Sequence, residues 1–341
     1  AEAGSMLGPA YGGAIVELSN WRWIFWLNVP QAVVLLLALL WLPNRPNRQA
    51  RVDYLGGGLL ASTLLVVSLA VSREGLFTFT SPLPFLIGAP GVLLAITLGV
   101  TQRRTLQPLL PAFLFRSWAF VIANVTQFLV GVSLIIAMVT VPLMANTIMG
   151  RDPFTGALWL LRLTGAIPVG AVLGGWLLSK VGVRSITVTG LALTALGLFL
   201  VSNWQIGVSE PDLTLHLAMA GFGFGLVIAP IVTHALNGVR VDYQGTAASL
   251  VVVSRMLGMT LGLAALSAWG VEHFQALTAG LDLSLPMPGE STASVEARLI
   301  EYKNNLNAAG LSLFHNFFRA AAGVSLLAIV PAMMMRGDRR R

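Results

Sequence analysis

The stretch Gly4-Ser5-Met6-Leu7-Gly8-Pro9-Ala10-Tyr11-Gly12-Gly13 sets glycines at 4, 8 and 12 of an apolar segment, with a proline beside the middle one. Residues four apart stack on one face of a helix. Gly4, Gly8 and Gly12 therefore form a bare stripe on which another helix can pack backbone to backbone. Pro9 removes the helical hydrogen bond to the Ser5 carbonyl and favours a kink. Helices in lipid tolerate such a defect where neighbouring groups satisfy the freed carbonyl. The segment reads as a membrane helix with a built-in packing face.

The rest of the chain agrees with that reading. Only 10% of its 341 residues are charged and 56% are apolar, against about 25% charged in soluble domains. Apolar spans are expected at 3–18, 22–42, 54–72, 84–101, 118–144, 156–178, 186–203, 213–236, 246–271 and 312–335. Most are near the ~20 residues needed to cross a ~30 Å hydrocarbon core. The fold expected is an all-α polytopic membrane protein with about ten transmembrane helices. Ala1-Glu2-Ala3 has neither the basic start nor the cleavage site of a secretory signal. With no initiating methionine and a helix under way at residue 3, the chain is expected to be a fragment or a truncated gene product.

A net charge of +7 would point to nucleic acid in a soluble domain, so the placement of the charges decides. With the first helix running outward, the inner segments 43–53, 102–117, 179–185, 237–245 and 336–341 hold thirteen Lys and Arg residues and the outer segments five. That asymmetry in short loops follows the positive-inside rule. The basic balance is a topology signal and excludes nucleic acid as the expected partner. Cysteine is absent, so there is no disulfide, thiolate metal site or cysteine nucleophile. His216, His234, His273 and His315 lie far apart near span ends, read as interfacial side chains without metal-ligand spacing. No metal or other cofactor is expected.

Gly4 to Gly13 resembles the antiporter signature in the fifth helix of drug exporters of the major facilitator superfamily. Trp21-Arg22-Trp23-Ile24-Phe25-Trp26-Leu27-Asn28-Val29-Pro30 is similar to the tract that follows it in the fourteen-helix drug/proton antiporter branch. Leu114-Phe115-Arg116 leading into Asn124-Val125-Thr126-Gln127-Phe128, and Gly245-Thr246-Ala247-Ala248-Ser249 leading into Arg255-Met256-Leu257-Gly258, resemble later landmarks of that branch in the same order. The resemblance implies a major facilitator fold of which these are the last ten of fourteen helices. It assigns 1–42 to the end of an N-terminal six-helix bundle and 43–117 to an extra helix pair with basic linkers. Residues 118–341 become a C-terminal six-helix bundle with a long outer loop at 272–311. It further implies a multi-pass protein of the plasma membrane, the inner membrane of a bacterium, with a monomer favoured. Its function would be proton-coupled efflux of drugs or other amphipathic or cationic compounds by alternating access, so its partners are a small-molecule substrate, protons and the lipid bilayer. Export of a siderophore or metabolite, or a non-transporting scaffold, are the alternatives. An enzyme is not expected, because no paired carboxylates, His-metal set or activated nucleophile is visible.

Ionisable residues inside membrane spans are functional candidates by default. Arg255 lies ten residues beyond Gly245, about 15 Å along a helix. It is either a structural cation that snorkels or a gate or cavity residue. Arg162 is a weaker candidate of the same kind, and Arg319 reads as snorkelling. Asn124, Gln127 and Gly131 recur at i, i+3 and i+7, a face that suits either a polar cavity wall or helix-to-helix hydrogen bonds. Asn28, two residues before Pro30, either satisfies backbone at the kink or lines the cavity. Gly175-Trp176-Leu177-Leu178-Ser179-Lys180-Val181-Gly182-Val183-Arg184 resembles the superfamily's G-x-L-x-D-x-x-G-x-R cytoplasmic gating loop, with Gly175, Lys180, Gly182 and Arg184 in place. Ser179 stands where that pattern has Asp, so a latch centred on the carboxylate cannot form. The acidic residues near the spans fall at span ends or in loops, and Asp53 before Tyr54 reads as a helix N-cap. By the resemblance, the acids that couple protons belong to helices preceding residue 1.

Overall fold

The protein is described by a computed structural model covering residues 2–41, 53–73, 76, 81–105, 108–237, 239–281 and 291–335, with the side chains of 2–7, 9 and 10 excluded. The basic linker at 42–52, residues 282–290 of the outer loop, the C-terminal arginines and the side chain of Pro9 therefore lie outside the described residues. Among the described residues ten α-helices follow one another: α1 (Glu2–Leu18), α2 (Arg22–Leu40), α3 (Tyr54–Val71), α4 (Leu83–Arg104), α5 (Trp118–Thr147), α6 (Pro153–Val181), α7 (Val183–Val201), α8 (Glu210–Leu236), α9 (Gln244–Thr278) and α10 (Thr292–Met333). Short 3-10 turns at Leu114–Arg116 and Val241–Tyr243 introduce α5 and α9. No strand occurs among the described residues. Nine of the helices are long and apolar enough to cross a membrane; α1, with 17 residues, falls just short of that length.

The helix starts are chemically marked. The Asp53 carboxylate accepts the Gly56 N–H at 2.8 Å, and the Asp152 carboxylate accepts the Thr155 N–H at 2.8 Å. Each satisfies an orphan donor of a first turn. Between α6 and α7 the chain turns at Gly182, whose φ of 89° favours glycine.

Helices α5 to α10 form the packed bundle that contains the core. Their neighbours obey a symmetry: α6 packs on α8 as α9 packs on α5, and α7 packs on α8 as α10 packs on α5, while α5–α8 and α7–α10 map onto themselves. Exchanging α5–α7 with α8–α10 reproduces the contact map, the behaviour of two three-helix repeats of inverted topology. Glycines make the first of these crossings close. A side chain at Gly131 would fall on the backbone of Arg255 and one at Gly258 on the backbone of Phe128, across α5 and α9. In the matching α6–α8 crossing, Gly170 and Gly225 meet the facing backbone at Phe222 and Ile167. The α5–α10 contact is held instead by Ser133, whose hydroxyl lies 2.7 Å from the Ser325 hydroxyl and 2.9 Å from the Ala321 carbonyl.

The remaining helices are peripheral. The pair α3 and α4 pack on each other and α3 touches α9, while α1 lies along α6. Helix α2 buries no residue.

The outer loop differs from the sequence expectation. The last two spans were expected at 246–271 and 312–335 with a long outer loop at 272–311 between them; instead α9 continues to Thr278 and Thr292–Met333 is one helix of 42 residues. At 1.5 Å per residue it is about 63 Å long, roughly twice the hydrocarbon thickness. Nothing between Ser294 and Phe314 forces a break. The segment is rich in Ala, Glu, Leu, Lys and Arg, which favour helix, and Gly310 sits buried against Ile148. Polarity there marks where the helix leaves the apolar layer, not where it ends.

Candidate functional site

The face shared by α5, α6, α8 and α9 encloses a cavity of about 80 Å³. Its wall is almost wholly apolar, with Met138 from α5, Ile167 from α6, Phe224 from α8 and the pair Met256 and Met259 from α9. Methionine is a flexible, polarisable lining that adapts to differently shaped apolar partners. The exception is Arg255, the single charged residue among those lining the cavity. It lies eleven residues into α9, about 16 Å along the helix axis, and is only 8% exposed. The close approach of α9 at Gly131 fixes the backbone that carries it. Thr164 also lines the cavity, but its hydroxyl donates back to the Leu160 carbonyl at 3.1 Å.

The other expected site residues scatter. Asn124 is spent on packing: its amide donates to the Phe120 carbonyl at 2.8 Å, and its oxygen accepts from the Ser254 hydroxyl at 2.6 Å. With Gly131 against the same helix, the Asn124–Gly131 face is a seam with α9 and not a cavity wall. Gln127 is 1% exposed, and its Oε1 has no hydrogen-bond partner among the described residues. Arg162 does not enter the cavity wall but pairs with Glu210 at 2.7 Å. Asn28 is exposed on α2, away from the bundle, and Arg319 is exposed as well, as snorkelling requires.

The gating loop keeps its turn glycine but not a charge latch. The Lys180 ammonium lies 3.7 Å from the centroid of the Trp176 ring, a cation–π contact, and Arg184 is exposed. Neither makes a salt bridge among the described residues. The Ser179 hydroxyl donates to the Trp176 carbonyl at 3.2 Å. Gly175 has only the Ala229 methyl nearby, at 3.8 Å.

In α1 it is Gly13, beside the stripe, that packs, since a side chain there would press on the Ala157 methyl at 2.7 Å. Gly8 and Gly12 have open space where a side chain would stand. Their expected backbone-to-backbone partner is not among the described residues.

Two histidines read as separate interfacial groups, His216 and His315, meet at Trp204 at the other end of the bundle. The Trp204 indole N–H donates to His216 Nδ1 at 3.0 Å, and the His315 Nε2–H donates to the Trp204 carbonyl at 2.6 Å. Because an indole can only donate and a carbonyl only accept, His216 is unprotonated at Nδ1 and His315 carries its proton on Nε2. Trp159 closes the group edge-on to Trp204 at 6.0 Å, and Asn316 donates to His273 at 2.9 Å. Trp204, in the segment that follows α7, thus ties α6, α8 and α10 together, and its contact with His315 spans 111 positions, which no local spacing reveals. His234 differs: it is 3% exposed, and neither ring nitrogen has a hydrogen-bond partner among the described residues. A lone histidine near a helix end gave no signal of that burial.

A bundle of membrane-crossing helices built from inverted repeats around an apolar cavity with a buried arginine defines a class of fold, that of polytopic membrane proteins with a cavity between repeats. The sequence comparisons specify it. The Major Facilitator Superfamily matches residues 1–263, and the chain belongs to that family. A triacylglyceride transporter of Mycolicibacterium hassiacum is 36% identical over 88% of this chain and 62% of its own length. One of Mycolicibacterium smegmatis is 32% identical over 98% and 63%, and a probable triacylglyceride transporter of Mycobacterium leprae is 34% identical over 84% and 59%. The chain thus spans about three fifths of the length of these relatives. With its apolar helices, the family places the protein in the plasma membrane as a multi-pass protein.

Proposed function

We propose that the chain forms the C-terminal part of a proton-coupled exporter that moves an apolar, uncharged or weakly anionic amphiphile by alternating access. In this reading residues 118–335 are one complete bundle, 1–42 the end of the other, and 43–117 an inserted pair. The observation that carries the proposal is the α5–α6–α8–α9 cavity, with methionines on its wall and Arg255 as its one charge. Apolar lining fits lipid-like cargo, and the relatives named for triacylglyceride transport support the same class. An arginine at the wall opposes cationic cargo by like-charge repulsion, so among the efflux substrates expected from sequence the cations are disfavoured.

The test is transfer of a fluorescent triacylglyceride and of a cationic dye in proteoliposomes with an imposed proton gradient. Gradient-driven movement of the lipid and not of the dye is expected. Equal movement of the dye, or no response to the gradient, would refute the reading. Arg255→Gln should lower lipid transfer at least tenfold while insertion and thermal stability stay normal; unchanged transfer would make Arg255 a structural cation.

A further inference from the structure

A second cavity lies outside the transport bundle, at the end of the molecule that the Lys and Arg distribution places in the cytoplasm. It has a volume of about 1250 Å³ and is walled by the segment joining α4 to α5 and by the turn into α9. Arg103 and Arg116 both line it, with Thr105 and Thr246. Its wall is anchored by Gln102, 4% exposed, which donates to the Asp53 carboxylate at 2.6 Å and accepts the Leu110 N–H at 2.9 Å. Across the opening, Phe113 and Tyr243 meet edge to face at 4.7 Å. One carboxylate lines the cavity, Asp242, and it is engaged by Arg240 at 3.2 Å. Arg103 and Arg116 have no salt-bridge partner among the described residues, in contrast to Arg162 and Arg240.

The surroundings fix the depth of this basic cavity. Phe113 is 44% exposed, Phe115 47% and Trp118 64%, and Trp118 opens α5. Exposed aromatics at the ends of membrane helices sit at headgroup level. Two guanidinium groups lining one cavity, beside exposed aromatic rings, match a phosphate carried on a lipid. Basic pockets between helices on the cytoplasmic side recognise anionic headgroups, and guanidinium suits phosphate oxygens by its paired donors.

We propose that this cytoplasmic-face cavity binds the headgroup of an anionic phospholipid, with Arg103 and Arg116 on the phosphate and Phe113 and Phe115 against the chains. The lipid tethers the segment between α4 and α5 to the start of α9, the helix that carries Arg255. Each arginine near an anionic surface is worth about fivefold in affinity. R103Q/R116Q should therefore bind about 25-fold more weakly.

Native mass spectrometry of the detergent-purified protein, titrated with phosphatidylglycerol and with phosphatidylcholine, reads this directly. The wild type should retain phosphatidylglycerol selectively and lose it as NaCl rises from low to high concentration. The R103Q/R116Q variant should lose the selectivity, and Arg22→Gln, at the opposite face, should keep it. Equal retention by R103Q/R116Q, equal binding of phosphatidylcholine, or retention insensitive to salt would each overturn the proposal. Displacement of phosphatidylglycerol by millimolar inorganic phosphate would also overturn it, in favour of a site for a soluble anion. The salt and lipid-selectivity arms use the wild type alone and do not depend on the variant folding.

Discussion

Helices α5 and α2 are both apolar enough to cross a membrane, yet α5 buries a whole flank in the bundle while α2 buries nothing. The difference lies in small and hydroxyl-bearing residues. Helix α5 carries Gly131 and Ser133, which bring the backbones of α9 and α10 close. Helix α2 has no Gly, Ser or Thr along its length. Apolarity decides which segments enter lipid, but it gives no reason for two helices to prefer each other over lipid tails. Close backbone approach and interhelical hydrogen bonds supply that reason, and they are concentrated in α5–α10.

The largest effect that follows is at the glycine crossings. In Gly258→Leu a side chain would have to occupy the place of the Phe128 carbonyl, and backbone cannot rotate away as a side-chain tip can. Overpacking of this kind costs about 3 kcal/mol, enough to consume much of a bundle's margin. The expected outcome is loss of the monodisperse folded peak in detergent and a collapsed melting temperature. A variant as stable as wild type would mean that the α5–α9 seam is not close-packed, and the contrast with α2 would lose its basis.

A smaller effect is expected at the Trp204 clasp, which holds the opposite end of the same bundle. Trp204→Phe keeps the ring that meets Trp159 but deletes the N–H that His216 accepts. One net hydrogen bond is worth about 1 kcal/mol. Thermal unfolding in detergent should report a loss of that order, and His216→Phe in the same background should add little if the two act as a pair. Independent losses would show that His216 and Trp204 contribute separately.

These contrasts also mark what the sequence could disclose. Span positions were legible because hydropathy and length are additive along the chain, and α3 came with its cap residue, Asp53, in plain view. The start of α10 was not legible, since composition reports the lipid boundary and says nothing of whether a helix continues past it. Arg255 stood out because a charge in an apolar span needs an explanation. Asn124 and Gln127 lay correctly on one face of α5, but periodicity does not say which neighbour that face meets. It meets Ser254 and the α9 backbone. The Trp204–His216–His315 group joins separate helices and has no local signature at all.

Outside the bundle, α3 and α4 are joined by a polar contact as well, from Gln102 to Asp53. The Asp53 carboxyl is held below its ordinary value of 3.8 by the Gly56 N–H first and the Gln102 amide second. A depressed carboxyl stabilises the fold through its charged form. Its contribution is full above about pH 4 and is lost as pH falls through the lowered folded value. Hydrogen exchange in the first turn of α3 should therefore rise in Asp53→Ala relative to wild type at pH 7. The two proteins should converge under strongly acidic conditions. A difference that persists unchanged into acid would assign the effect to packing at Asp53 and not to its charge.

The smallest effect is expected at Gly8, in the glycine stripe of α1. A branched side chain at Gly8 should have filled the bare stripe of α1 and damaged packing, but Gly8 is exposed and has open space at its Cβ position. Gly8→Val in this chain should leave the melting temperature in detergent unchanged, whereas Gly13→Val should lower it by forcing the Ala157 methyl of α6 to give way. If Gly8→Val also destabilises the chain, the stripe already has a partner, and α1 belongs with the packed bundle instead of its periphery. If it is silent here but abolishes transport in a longer protein containing further helices, the glycines serve a helix beyond the described residues. The close-approach chemistry that holds α5 against α9 then operates at that second seam as well.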